Sequence, residues 1–206
     1  MRDLINFVNC HDRKTSLFYQ GSRRFQPVKR LLICVCLWLA GGWLATAADN
    51  PGLSEYDVKA GFLFKLPQFI DWPASTFAAP DAPIVIGIVG DDPFGKTLDE
   101  LVKGEIVRGH PLAIKRLNPG DDFKSCQVLF ICRNNKEQLP SLLQKLKGSP
   151  VLTVGDDNGF ADQGSMVNFV LVQGKVKLEI NPAAAEQAGL QISAKLLKLA
   201  RIVNPN

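Results

Sequence analysis

The distribution of apolar runs predicts an α/β fold: a single-domain sandwich with a mixed β-sheet flanked by helices, finished by a C-terminal β-hairpin and helix. Three observations carry this. Residues 84–89, 127–132 and 151–154 are short uncharged runs, the mark of strands buried on both faces. Between them, apolar residues recur at spacings of three and four, as on the buried side of a helix. Residues 165–172 and 175–181 flank Gln173-Gly174, a hairpin signal.

Taken in order, Ser54 is placed to cap a helix whose first turn holds Glu55 and Asp57, acids that suit the positive end of the helix dipole. Val58, Phe62, Leu66, Phe69 and Ile70 form its apolar stripe, and Pro67 should kink it or split it into two turns. Trp72-Pro73 stops it. The strand IVIGIV at 84–89 ends in the turn Gly90-Asp91-Asp92-Pro93, and residues 94–102 read as helix. Residues 105–117 are expected to hold two short strands around Gly109. Leu139, Leu142, Leu143 and Leu146 share one side of a helix over 135–147. In 175–181, Val176, Leu178 and Ile180 alternate with Lys175, Lys177 and Glu179, so one face should be wet. Asn181-Pro182 opens a short helix ended by Gly189, and residues 193–202 should form the closing helix.

The first 48 residues differ from the rest. They hold seven basic residues and two acids, leaving 17 Lys+Arg against 18 Asp+Glu from Asp49 onward. Residues 31–44, LLICVCLWLAGGWL, follow Lys29-Arg30 and lead into Ala45-Thr46-Ala47-Ala48. A basic flank, a short apolar run and a small-residue terminus make a secretory signal. A spanning helix needs about 20 apolar residues, so the run suits cleavage better than anchoring. Residues 1–48 are therefore expected to be leader and signal peptide, and 49–206 the exported domain. The stretch 1–27 is long for the front of a signal, which suggests an over-long gene start with translation beginning near Val28. The basic pI of 8.8 resides in the leader, so it does not argue for nucleic acid.

Catalytic chemistry needs a nucleophile with a base, paired carboxylates or a metal site. After the leader the chain has one histidine, His110, read as an ordinary surface residue. Asp91-Asp92 follows the first strand, where α/β folds often bind ligands, but it reads more simply as a solvated turn capping the next helix. Gly87-Ile88-Val89-Gly90 does not complete a dinucleotide loop. Asp156-Asp157-Asn158-Gly159 lacks the downstream glutamate of a calcium loop. No enzyme, cofactor or metal is expected. Cys126 and Cys132 lie six residues apart around a strand, too far for a bridge unless the chain folds back, so two buried thiols are expected. Trp72, Phe77 and Phe160 stand beside turn residues and are the candidate partner-binding side chains.

Several stretches together resemble the YfiR-like family of periplasmic proteins. They are VKAGFL at 58–63 running to Asp71-Trp72-Pro73, GDDPFG at 90–95, VLTVGD at 151–156, GSMVNF at 164–169 through KLEIN at 177–181, and AAEQAGL at 184–190 with SAKLLKLA at 193–200. The resemblance implies a periplasmic repressor that binds the periplasmic region of an inner-membrane diguanylate cyclase and holds it inactive, so that cyclic-di-GMP stays low and motility and biofilm choices follow. It also implies self-association as a homodimer. The alternative is a periplasmic small-ligand binding or sensor module, which predicts a cavity of roughly 300–1,000 Å³.

Overall fold

A computed structural model describes residues 53–118 and 120–203; the leader expectations for 1–48 lie outside them. Helix α1 (Glu55–Lys65) starts as a capping box: the Ser54 hydroxyl accepts from the Asp57 N–H, and the Asp57 carboxylate accepts from the Ser54 N–H. Pro67 ends it at Lys65, and a 3₁₀ turn (Leu66–Phe69) follows. The chain then runs through β1 (Ile70–Asp71), β2 (Ile84–Val89), α2 (Lys96–Val102), β3 (Ile106–Val107), β4 (His110–Leu117) and β5 (Val128–Ile131). After these come α3 (Leu139–Leu146), β6 (Leu152–Gly155), β7 (Val167–Val172), β8 (Lys175–Ile180), α4 (Pro182–Gln187), β9 (Gln191–Ile192), α5 (Ala194–Leu197) and β10 (Arg201–Ile202).

Eight strands form one mixed sheet in the order β10-β8-β7-β6-β5-β2-β4-β3; β1 and β9 pair separately and antiparallel. The centre is parallel from β4 through β2, β5 and β6 to β7. Antiparallel hairpins close it on both sides, β3–β4 and β7–β8. The α/β sandwich is as the sequence predicts. Each central strand feeds two cores because its side chains alternate. Ile86, Ile88, Val128 and Phe130 face the layer of α1 and α2, with Leu63, Leu98 and Phe169. Val89, Leu129 and Ile131 face α3, with Leu139, Leu142, Leu146 and Phe160.

Three details depart from the sequence reading. Residues 193–202 are not one helix: α5 lasts one turn, and β10 adds parallel to β8, with Val203 N–H donating to Ile180 O at 2.8 Å. The open edge of β8 would otherwise leave its backbone groups unpaired, and residues 201–203 satisfy them. The outer face of β8 is wet at Lys175 and Lys177 but not at Glu179, which is 4% exposed because Arg201 of β10 lies over it and Asn168 of β7 donates to it at 3.2 Å. The expected helix over 135–147 begins as a 3₁₀ stretch (Arg133–Gln138) and becomes α-helical at Leu139, next to Pro140.

Cys126 and Cys132 are free, buried thiols in opposite core layers. Burial raises both thiols, Cys132 to about 12 with help from Asp156, Asp92 and Asp91, so neither is a thiolate near neutral pH.

Candidate functional site

Where the chain leaves α1 it builds an aromatic shelf. The helical path has already ended at Phe69, before β1; after Trp72-Pro73, one 3₁₀ turn (Ala74–Thr76) brings Phe77 back against Trp72, with ring centroids 6.4 Å apart and planes at 74°. Phe77 also stacks on His110 of β4, 4.0 Å between centroids and 18° between planes. His110 Nδ1 lies 2.7 Å from the Ala82 carbonyl oxygen; that oxygen can only accept, so Nδ1 donates and the ring is fixed. His110 is thus half-buried and pinned rather than an ordinary surface residue.

Beside the shelf, Arg108 and Gly109 make the two-residue turn from β3 to β4, both at positive φ (+53° and +90°). Glycine adopts this conformation freely, whereas arginine does so at a cost of about 1 kcal/mol. The Arg108 guanidinium pairs with Asp71 and donates to the Gln68 carbonyl oxygen at 3.3 Å. Both partners of the ion pair are about half exposed (49% and 52%), so its contribution to stability is small. Together these side chains line a recess of about 220 Å³ with Ile70 and Ile84 at its base. The Trp72 indole N–H and the Thr76 hydroxyl are buried without a hydrogen-bond partner.

Two of the three partner-binding candidates, Trp72 and Phe77, are therefore brought together. Phe160 is not with them. It is 0% exposed in the α3-side core, so it has no surface to give a partner in this fold. Phe160-Ala161 is an apolar pair inside a polar turn, and both are fully buried; that pairing was the signal for core.

A second cluster, which the sequence reading did not find, sits at the carboxyl ends of β5 and β6. Asp156 is fully buried and paired with Lys59, itself 2% exposed. Asp156 also accepts from the Tyr56 hydroxyl at 2.8 Å and lies 3.5 Å from Arg133. Glu55 completes the set through Lys59 and, at 2.8 Å, Arg133. Burial and the Asp156 carboxylate push the Tyr56 hydroxyl up to about 12, so it donates at all ordinary pH. The signals were the i,i+4 spacing of Glu55 and Lys59 on α1 and the position of Asp156 directly after a buried strand. Every charge here is answered from within the chain, and the cluster ties α1 to the sheet.

The carboxyl ends of β2 and β5 are filled in the same way. Asp92 accepts from Phe94 N–H at 2.8 Å and pairs with Arg116; Asp91 accepts from the Asn134 amide at 2.7 Å. Asp157 is held by Lys136 at 2.8 Å. Among the described residues, no three His, Cys, Asp or Glu side chains converge as metal ligands. A third feature is a groove of about 760 Å³ between α3 and α4, with Leu143 and Met166 on its apolar side and Gln144, Gln163 and Gln187 around it.

These features define a class before they define a family: a mixed α/β domain whose carboxylates at the strand ends are paired within the chain and whose surface carries an aromatic recess. The sequence profile of the YfiR/HmsC-like family matches residues 56–201, and the chain belongs to that family. The family is periplasmic in general and regulatory rather than catalytic. A crystal structure of a conserved domain protein from Vibrio cholerae is similar over 72% of this chain, at 15% identity and a TM-score of 0.46. The aligned region spans 60% of that chain's length. No curated protein matches the sequence. Among the described residues, no helix is long and apolar enough to cross a membrane.

Proposed function

We propose that residues 1–48 export the protein and that residues 49–206 act in the periplasm as a repressor subunit, holding a membrane-bound diguanylate cyclase inactive. The observation that carries this reading is the Trp72–Phe77–His110 shelf, together with membership of a regulatory family. Aromatic anchors dominate protein interfaces, and the partly exposed rings of Trp72 and Phe77 offer such an anchor on the surface. The bound cyclase is biased toward its inactive state by differential binding alone, so the repressor needs no reactive group.

Deleting the gene in a strain that keeps the cyclase should raise cyclic-di-GMP, and the wild-type gene should restore it. Phe77→Ala, which removes one ring of the shelf, should weaken binding about 30-fold or more, the scale of an interface hot spot, and fail to restore repression while still being exported. Unchanged cyclic-di-GMP in the deletion strain would sink the reading. The groove between α3 and α4 supports a second, compatible reading, a small-ligand module, because its 760 Å³ lies within the usual size of ligand cavities. A shift in melting temperature on screening uncharged periplasmic metabolites would support that role.

A further inference from the structure

The last third of the chain leaves apolar and basic side chains together at one end of the sheet. Among the described residues seven large hydrophobic side chains are exposed, and three of them border one recess here: Leu171 (52%), Val172 (48%) and Leu199 (73%). The reason is the β7–β8 hairpin, whose inner halves are buried and whose outer halves run past the core. Cross-strand pairing sets Val172 opposite Lys175, Leu171 opposite Val176 and Val170 opposite Lys177. β10 brings Arg201 alongside Glu179, and Lys198 and Leu199 arrive just before it. Val172, Lys177, Leu199 and Arg201 all border one open recess of about 310 Å³.

The charge here is one-sided. Lys175, Lys177, Lys198 and Arg201 are exposed. Of the carboxylates, Glu179 is buried and already accepts from Arg201 and Asn168, and Asp162 is the other one acting on Arg201. Lysines by themselves are ordinary protection for a sheet edge. Three exposed aliphatic side chains beside them are the opposite of protection, because they invite contact with an apolar phase. Aliphatic groups for shallow insertion, ringed by cations for anionic headgroups, are the two terms of interfacial membrane binding.

We infer that the β7–β8 hairpin tip, with Leu199 and β10, is a docking surface for an anionic lipid bilayer, which holds the domain against the membrane face where its partner stands. This rests on the exported reading above. The two fail differently: no protein in the periplasm sinks export, whereas exported protein that ignores lipid sinks only the tip.

The test uses protein recovered from the periplasm, so that parent and variants share one N-terminus, in sedimentation with vesicles. One set is pure phosphatidylcholine; the other carries about a third phosphatidylglycerol, whose charge contributes roughly fivefold in partitioning per nearby Lys or Arg. The parent should bind the anionic vesicles, release them as salt is raised, and bind neutral vesicles far more weakly. Lys175→Gln with Lys177→Gln should lower binding about 25-fold. Leu171→Ser with Leu199→Ser should also lower it, and Lys103→Gln, an exposed site at the end of α2, should not. All the changed side chains are exposed, so melting temperatures should match the parent. Equal binding to both vesicle types, or tip variants that bind like the parent, overturns the proposal. So does a tip whose variants bind vesicles normally yet lose capture of the cyclase's periplasmic region, which would make it a protein interface instead.

Discussion

Gly155, the last residue of β6, shows how close the packing under the α3 layer is. A Cβ on it would lie 2.4 Å and 2.7 Å from two carbons of Phe160 and 2.9 Å from Asn168 Oδ1. Phe160 is fully buried and Asn168 is held by Asp157 O and Glu179, so neither has space to retreat. Gly155→Ala should therefore destabilise by about 1–3 kcal/mol, as overpacking does, and lower the melting temperature by several degrees. An unchanged melting temperature would mean that Phe160 can move aside within the core. At this scale aromatic identity alone did not tell role: Trp72, Phe77 and Phe160 all stand next to turns, yet two reach the surface recess and one fills the core. The difference lies in partners more than thirty residues away, His110 for Phe77, and no local pattern carries it.

The hairpin is the element whose sequence and structure agree most closely. Gln173 and Gly174 both take positive φ, +50° and +72°, the pair of angles a type I′ turn requires. Glutamine is an expensive choice there and asparagine a cheap one. Gln173→Asn should raise stability by about 0.5 kcal/mol, read as a higher urea midpoint with unchanged slope. No gain would argue that the turn angles differ in solution. The closing helix was less legible. Leu196, Leu197, Leu199 and Ala200 fit a helical stripe equally well whether the helix lasts one turn or three. What decides is the free edge of β8, which captures residues 201–203. The same capture buries Glu179, so its alternation with Lys175 and Lys177 was read correctly along the strand and lost to an event across it.

Across the whole molecule, the carboxylates at the ends of the strands act with α1 as one unit. The Glu55 carboxyl is held below its usual value, first by its hydrogen bond to Lys59, and Asp157 likewise by Lys136. Folded values below the unfolded ones, near 4, mean that these groups add stability above that pH and lose it as pH falls through the depressed range. The urea midpoint should hold between pH 7 and about 5 and fall progressively below about 4. A flat profile down to pH 3 would show that these pairs are not formed in solution. The Lys59–Asp156 pair also joins residues 97 apart in the chain, and Phe62 of α1 sits 6.2 Å from Phe169 of β7. The first of the described elements therefore beds partly on later ones. Emerging amino end first from a ribosome or a translocation channel, α1 can pack on α2 and the central strands once these have followed it, but its ties to Asp156 and Phe169 wait for the later part of the polypeptide, and a product truncated before them would leave Lys59 and Phe62 without those partners.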